Sequence, residues 1–288
     1  MALPIPPIIL ALALALLLAA PFAFLAGRRG GRYRGMPGWV GFWVFFSGLL
    51  VILSRAEFWI SFPVLGVLMF VSLREYFFLA PVRPQDRWAI LATYLSIPCA
   101  LIPAVGDDLA LFVMVIPVGL LLLLPMLLSY GPRQPGLLDS VGRVLLGALV
   151  FVFAAAHLGL MAHQPRGRLE LFAILVLFAE LPQRVAGRPR PGQEVLRPAI
   201  GVALALLACT GIGWWLGPLG AVTRVQGLTA GVLVALAVTA GSLVADAVAQ
   251  ELGLAGSSSR FGRGAFLDRA IPALYAAPVF YHYFRYVP

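Results

Sequence analysis

The sequence predicts an all-α polytopic integral membrane protein, a single helical bundle of about ten transmembrane helices spanning residues 1–288. Three observations carry that prediction. The chain is 61% hydrophobic and only 11% charged, where a soluble domain carries roughly 25% charged residues. Its mean hydropathy is +0.95. Its apolar runs are continuous over roughly 17–20 residues and do not alternate, which is the pattern of a helix rather than a strand. In lipid every backbone N–H and C=O must be bonded within the chain, so such runs span as helices.

Taken in order, the runs are 5–26, 38–54, 57–73, 88–105, 109–129, 144–162, 170–181, 199–216, 228–248 and 270–287. The first resembles a signal peptide but lacks a basic segment before it. Arg28, Arg29, Arg32 and Arg34 follow it instead, and arginines after a first span hold that end in the cytoplasm, leaving the N-terminus outside. The seventh run is short and carries Glu180 near its inner end. A carboxylate there calls for a polar interior partner such as an arginine. Ten spans put both termini outside.

The loops agree with that topology. All 21 basic residues are arginine. Sixteen fall in the predicted inner loops, and the other five (Arg55, Arg166, Arg168, Arg224 and Arg285) fall on the predicted outer side. This bias fits insertion in a bacterial inner membrane. The net charge of +9 does not point to nucleic acid, because the arginines sit in short loops where they set topology and meet anionic lipid. With no lysine in the chain, chemistry that needs a lysine ammonium is excluded for it acting alone. The longest polar stretches, about 182–198 and 249–269, are both predicted cytoplasmic, and a site for a water-soluble substrate is expected there.

Cys99 and Cys209 lie in apolar runs without CxxC spacing and read as two buried thiols. His157, His163 and His282 are far apart, lack metal spacing and read as membrane-interface residues. Asp107-Asp108 reads as a solvated outer-loop pair. The six tryptophans (Trp39, Trp43, Trp59, Trp88, Trp214 and Trp215) fit interfacial aromatic belts.

Chemistry concentrates near the C-terminus. Ser242, Asp246 and Gln250 are spaced i, i+4, i+8 and share one helical face. Asp246 either faces a polar cavity or is solvated at the membrane surface. The segment Gly256-Ser257-Ser258-Ser259-Arg260-Phe261-Gly262-Arg263-Gly264 is either a phosphate cradle of backbone N–H groups and guanidinium forks or a flexible turn. Asp268 directly precedes the tenth run, where its carboxylate either caps the helix or holds a metal ion.

Together these residues resemble the C-terminal signature of the phosphatidate cytidylyltransferases, the CDP-diacylglycerol synthases. Glu251-Leu252-Gly253, Gly262, Gly264 and Asp268-Arg269 match that signature in place, and Ala276-Ala277-Pro278-Val279-Phe280 looks like the family's last helix. Arg74-Glu75-Tyr76 and Ala179-Glu180-Leu181 resemble segments upstream of it. The resemblance covers residues 40–288, leaving 1–40 as an N-terminal helix and basic loop, and its specific part is the last 50 residues.

The resemblance implies a cytidylyltransferase-like bundle, a role in phospholipid metabolism, and the reaction CTP + phosphatidate → CDP-diacylglycerol + pyrophosphate. It implies Mg2+ as cofactor, CTP and a phosphatidate-like phospholipid as ligands, and Asp268 and Asp246 as catalytic candidates, with Asp268 the metal ligand. Arg260, Arg263, Arg269 and Ser242 become candidates for phosphate or headgroup binding. The departures from the signature are many. Ser242 stands where the family has Asp, Asp246 where it has Ser, Ala249-Gln250 where it has Lys-Arg, Ala255-Gly256 where it has Lys-Asp, Arg263 where it has His, and Ile271 where it has the final Asp. Transfer of this kind depends on positioning and charge stabilisation, and losing one such contact costs roughly 3–4 kcal/mol. Catalysis is therefore expected to be impaired or lost. The alternatives are a non-catalytic protein that binds lipid or a partner, activity restored by a second membrane subunit, and a transporter, suggested by the Gly- and Pro-interrupted spans.

Overall fold

A computed structural model of the protein describes residues 6–28, 36–81, 83–129, 136–186, 196–253 and 265–287. The described residues are almost wholly helical and contain no strand. Ten long helical elements correspond one for one to the ten apolar runs. They are α1 (Pro7–Arg28), α2 (Met36–Arg55), α3 (Phe58–Leu79), α4 (Pro84–Val105), α5 (Leu109–Ser129), α6 (Leu137–Ala162), α7 (Arg168–Ala186), α8 (Leu196–Leu216), α9 (Arg224–Glu251) and α10 (Ala265–Tyr286). Seven of them, α2–α6, α8 and α9, are long and apolar enough to cross a membrane, so the chain is a helical integral membrane protein. Of the other three, α1 is apolar over Pro7–Pro21, α7 carries Arg168, Glu170, Glu180 and Arg184, and α10 combines Asp268, Arg269 and Arg285 with a Tyr- and His-rich end.

α7 is the hub. Every residue from Leu169 to Leu177 is buried, the signature of a helix apolar all round and enclosed by others. It packs against α1, α2, α8, α9 and α10. It is also longer than the seventh run predicts. Arg168 and Glu170 begin it, and Arg184 lies in its last turn. Charged residues truncate a hydropathy signal, but here they are held by neighbouring helices.

The closest crossings are α8 on α9 and α9 on α10, and small residues make them possible. A methyl added at Gly213 would run into the Gly227 carbonyl, and one at Gly231 into the Cys209 carbonyl. Gly241 of α9 similarly faces the Pro272 backbone and Tyr275 of α10. Two helices contain a π-helical segment, Met114–Val118 in α5 and Leu149–Ala154 in α6.

Polar contacts sort the helix ends into two groups. At one end Tyr76 Oη donates to the Arg143 carbonyl (2.9 Å) and Ser140 Oγ donates to Asp86 (2.7 Å). Arg143 also meets Glu251 at 3.8 Å. At the other end Arg55 pairs with Glu170 (2.9 Å) and Arg285 with Asp107 (3.2 Å).

Several residues differ from their sequence-based expectations. Cys209 is buried, but Cys99 is exposed on the outside of α4. Trp59, Trp88, Trp214 and Trp215 are exposed as a belt requires, whereas Trp39 and Trp43 are fully buried. Asp107-Asp108 is a solvent-accessible corner, as expected, but one with fixed partners. Asp107 accepts from Tyr281 and Arg285, and Asp108 caps α5 by accepting from the Leu111 N–H. His157 is not an interface residue, because it is buried inside the bundle, where it meets the half-buried His282.

Candidate functional site

The end of α7 carries the densest polar cluster. Glu180 is buried (1% exposed). Its Oε2 accepts from the indole N–H of Trp39 at 2.6 Å, from that of Trp43 at 3.4 Å, and from Arg184 Nε at 3.2 Å. The two indoles stand one helical turn apart on α2, so their N–H groups converge on a single oxygen. The other oxygen, Oε1, has no hydrogen-bond partner among the described residues. The arginine partner expected for Glu180 is thus Arg184, one turn along the same helix, where an i, i+4 pair can close.

Arg184 extends the cluster to the last helix. Its Nη1 donates to Asp268 Oδ2 and its Nη2 to the Asp268 carbonyl, both at 3.3 Å. The guanidinium also lies 5.9 Å from the centre of a Trp39 ring, within cation–π range. Arg269 is buried (7% exposed), and Glu75, Glu180, Asp268 and Arg184 are its charged neighbours. Glu180, Arg184 and Asp268 of α7 and α10 therefore meet beside a tryptophan pair from α2, with Arg269 within their electrostatic reach.

Asp268 is not an N-cap. α10 begins at Ala265, so Asp268 sits inside its first turn. The carboxylate still lies at the positive end of the helix dipole, but its structural partner is Arg184. Ser242 is half-buried and Asp246 exposed, one position round the helix from buried Ala245. Gln250, the third member of that face, is exposed as well. Arg260 and Arg263 lie outside the described residues, as do the serine loop, Gly262, Gly264 and the polar loop 187–195.

Magnesium prefers an octahedral shell of carboxylate oxygens and water. Among the described residues no three His, Cys, Asp or Glu side chains come close enough to hold a metal ion. The matching aspartate, Asp268, is shared with a guanidinium. What the arrangement provides is a partly buried junction of carboxylates and guanidiniums whose charges are largely matched to one another.

Motif matching missed Trp39, Trp43 and Arg184. The two tryptophans read as belt residues because both functions use the same side chain. Arg184 had a legible signal in its i+4 spacing from Glu180.

No protein-family model matches the sequence, and no solved structure matches it. The chain is 27% identical over 282 residues to a protein of Escherichia coli (strain K12) described as uncharacterized protein YnbB, covering 91% of this chain and 90% of that one. The likeness therefore runs through nearly the whole bundle and is not confined to one end.

Proposed function

We propose that this chain is a divergent relative of the phosphatidate cytidylyltransferases in which the nucleotide-transfer chemistry is impaired or lost, and which acts as a phospholipid-binding protein of a bacterial inner membrane. The observation that carries the reading is Asp268. It is the signature carboxylate retained in place, and here it serves as one end of an ion-pair chain through Arg184 to Glu180. A carboxylate committed to a guanidinium has lost much of its capacity to ligate magnesium. In this reading the C-terminal motif persists as an architectural joint between α7 and α10.

The ligand that suits this end of the bundle is a phosphatidate-like lipid. Arginine-rich surfaces at a helix-bundle end favour phosphate headgroups, and the arginine bias marks this end as cytoplasmic. CTP enters only if turnover survives, and a second membrane subunit only if it supplies the missing charges.

Purified protein given CTP, Mg2+ and phosphatidate is expected to form little or no CDP-diacylglycerol while retaining phosphatidate detectable by native mass spectrometry. Brisk turnover abolished by Asp268→Asn would reverse the assignment to an active synthase. Substrate flux in sealed vesicles, without retained lipid, would replace it with transport.

A further inference from the structure

The second polar cluster lies away from the ion-pair junction and involves none of its residues. His157 of α6 is fully buried. Its Nδ1 is 2.9 Å from the Phe153 carbonyl. A carbonyl only accepts, so Nδ1 carries the hydrogen, and the Nε2 of a neutral ring presents a lone pair. That lone pair faces His282 Nε2 of α10 at 3.3 Å. A ring nitrogen fixed by a hydrogen bond from the opposite nitrogen to a backbone carbonyl is how proteins orient metal-binding histidines.

The surroundings sharpen the chemistry. Phe112 and Phe153 stand edge-to-face with His157 at 5.0 and 4.7 Å between ring centres, and Tyr281 does so at 5.6 Å. Tyr286 stacks on His282 at 6.0 Å. Phe153 lies within the π segment of α6, and Phe112 lies two residues before that of α5. Such segments recur where helices are adapted to a site. Four aromatic rings thus surround two imidazoles, and no third His, Cys, Asp or Glu among the described residues joins them.

We propose that His157 and His282 are the protein ligands of a site for a soft monovalent transition-metal ion, Cu+. Imidazole nitrogen suits copper and zinc. At an imidazole–metal distance of about 2.0 Å, nitrogens 3.3 Å apart subtend about 110° at the ion. The ion sits to one side of the pair, and one further donor such as water would complete a three-coordinate shell. Two neutral donors leave the ionic charge uncompensated. The cost of burying a charge rises with its square, so the enclosed His157 side, packed by Phe112 and Phe153, disfavours a divalent ion. Zinc, which favours four ligands, finds only two. Binding needs no net proton release. In the metal-free pair His282 Nε2–H donates to His157 Nε2, and in the loaded pair the His282 hydrogen resides on Nδ1.

The test uses the full chain in detergent, with Cu+ supplied under reducing, anaerobic conditions against a chromogenic chelator. One equivalent is expected to bind, with an X-ray absorption spectrum of low coordination and a nitrogen or oxygen shell. His282→Gln, at a half-buried position near the chain end, is expected to weaken binding at least about tenfold. His157→Gln should do the same, and the fold of each variant is checked by its thermal transition. Three results would overturn the proposal. They are no Cu+ retained beyond the level of His282→Gln, a sulfur shell pointing to cysteine or methionine, or Zn2+ held more tightly than Cu+.

Discussion

At the residue scale, Glu180 sets the terms for its neighbourhood. A buried carboxylate is tolerated only when donors surround it, and Trp39, Trp43 and Arg184 supply them from two helices. Replacing Arg184 by Met strands that carboxylate. The expected loss is about 3 kcal/mol, at the low end for breaking a buried pair because Arg184 keeps some solvent contact. Thermal unfolding in detergent would read it as a clear drop in transition temperature. Asp268→Asn should cost under about 1 kcal/mol, since its side chain is 38% exposed and water can replace the lost partner. If the two variants unfold alike, Glu180 is not the residue that fixes Arg184. The double replacement Glu180→Gln with Arg184→Met should recover part of the loss, because it removes both charges together.

At the element scale, the seam of α8 and α9 depends on bare backbone. Gly213, Gly227 and Gly231 each stand where a side chain would strike the carbonyl of the facing helix. Gly213→Ala or Gly231→Ala must push the helices apart and is expected to cost about 1–3 kcal/mol or more. Gly48→Ala on α2 has nothing within 4 Å of the new methyl and should leave the transition temperature unchanged. Comparing the three by thermal melting separates crowding from any general intolerance of glycine loss.

The same scale shows what could be foreseen from the sequence. Ten apolar runs gave ten helices because continuous hydrophobicity is a strong and local signal. The length of α7 was underestimated, since Arg168, Glu170 and Arg184 interrupt that signal, while Ser54, which meets Glu170, and Asp268, which meets Arg184, lie 116 and 84 residues away. The histidine pair was invisible for a related reason. His157 and His282 are separated by 125 residues, and spacing rules detect only ligands carried by one element. Glu180 was legible because its arginine lies four residues on. Asp268 was placed one turn early, because apolarity begins at Ala270 whereas the helix begins at Ala265.

At the scale of the whole molecule, the contacts gather Trp39, Tyr76, Ser140, Glu180 and Asp268 at one end of the bundle, and Arg55, Asp107, Glu170 and Arg285 at the other. In the orientation proposed from the arginine bias, the first end faces the cytoplasm. A reporter enzyme active only outside the inner membrane is therefore expected to work when fused after Pro288 and to fail when fused within the 187–195 loop. The opposite pattern would invert the orientation and move the proposed phosphate-facing surface to the other side.

The enclosure of α7 has a consequence for how the chain enters the bilayer. A segment carrying Arg168, Glu170, Glu180 and Arg184 is a poor candidate for partitioning into lipid by itself. Its companions on α2 emerge from the ribosome before it, but the Asp268 that completes its pairing is made 84 residues later. During synthesis α7 must shelter against the earlier helices or wait beside the insertion machinery. A nascent chain halted before α10 should leave that helix only loosely committed to the membrane.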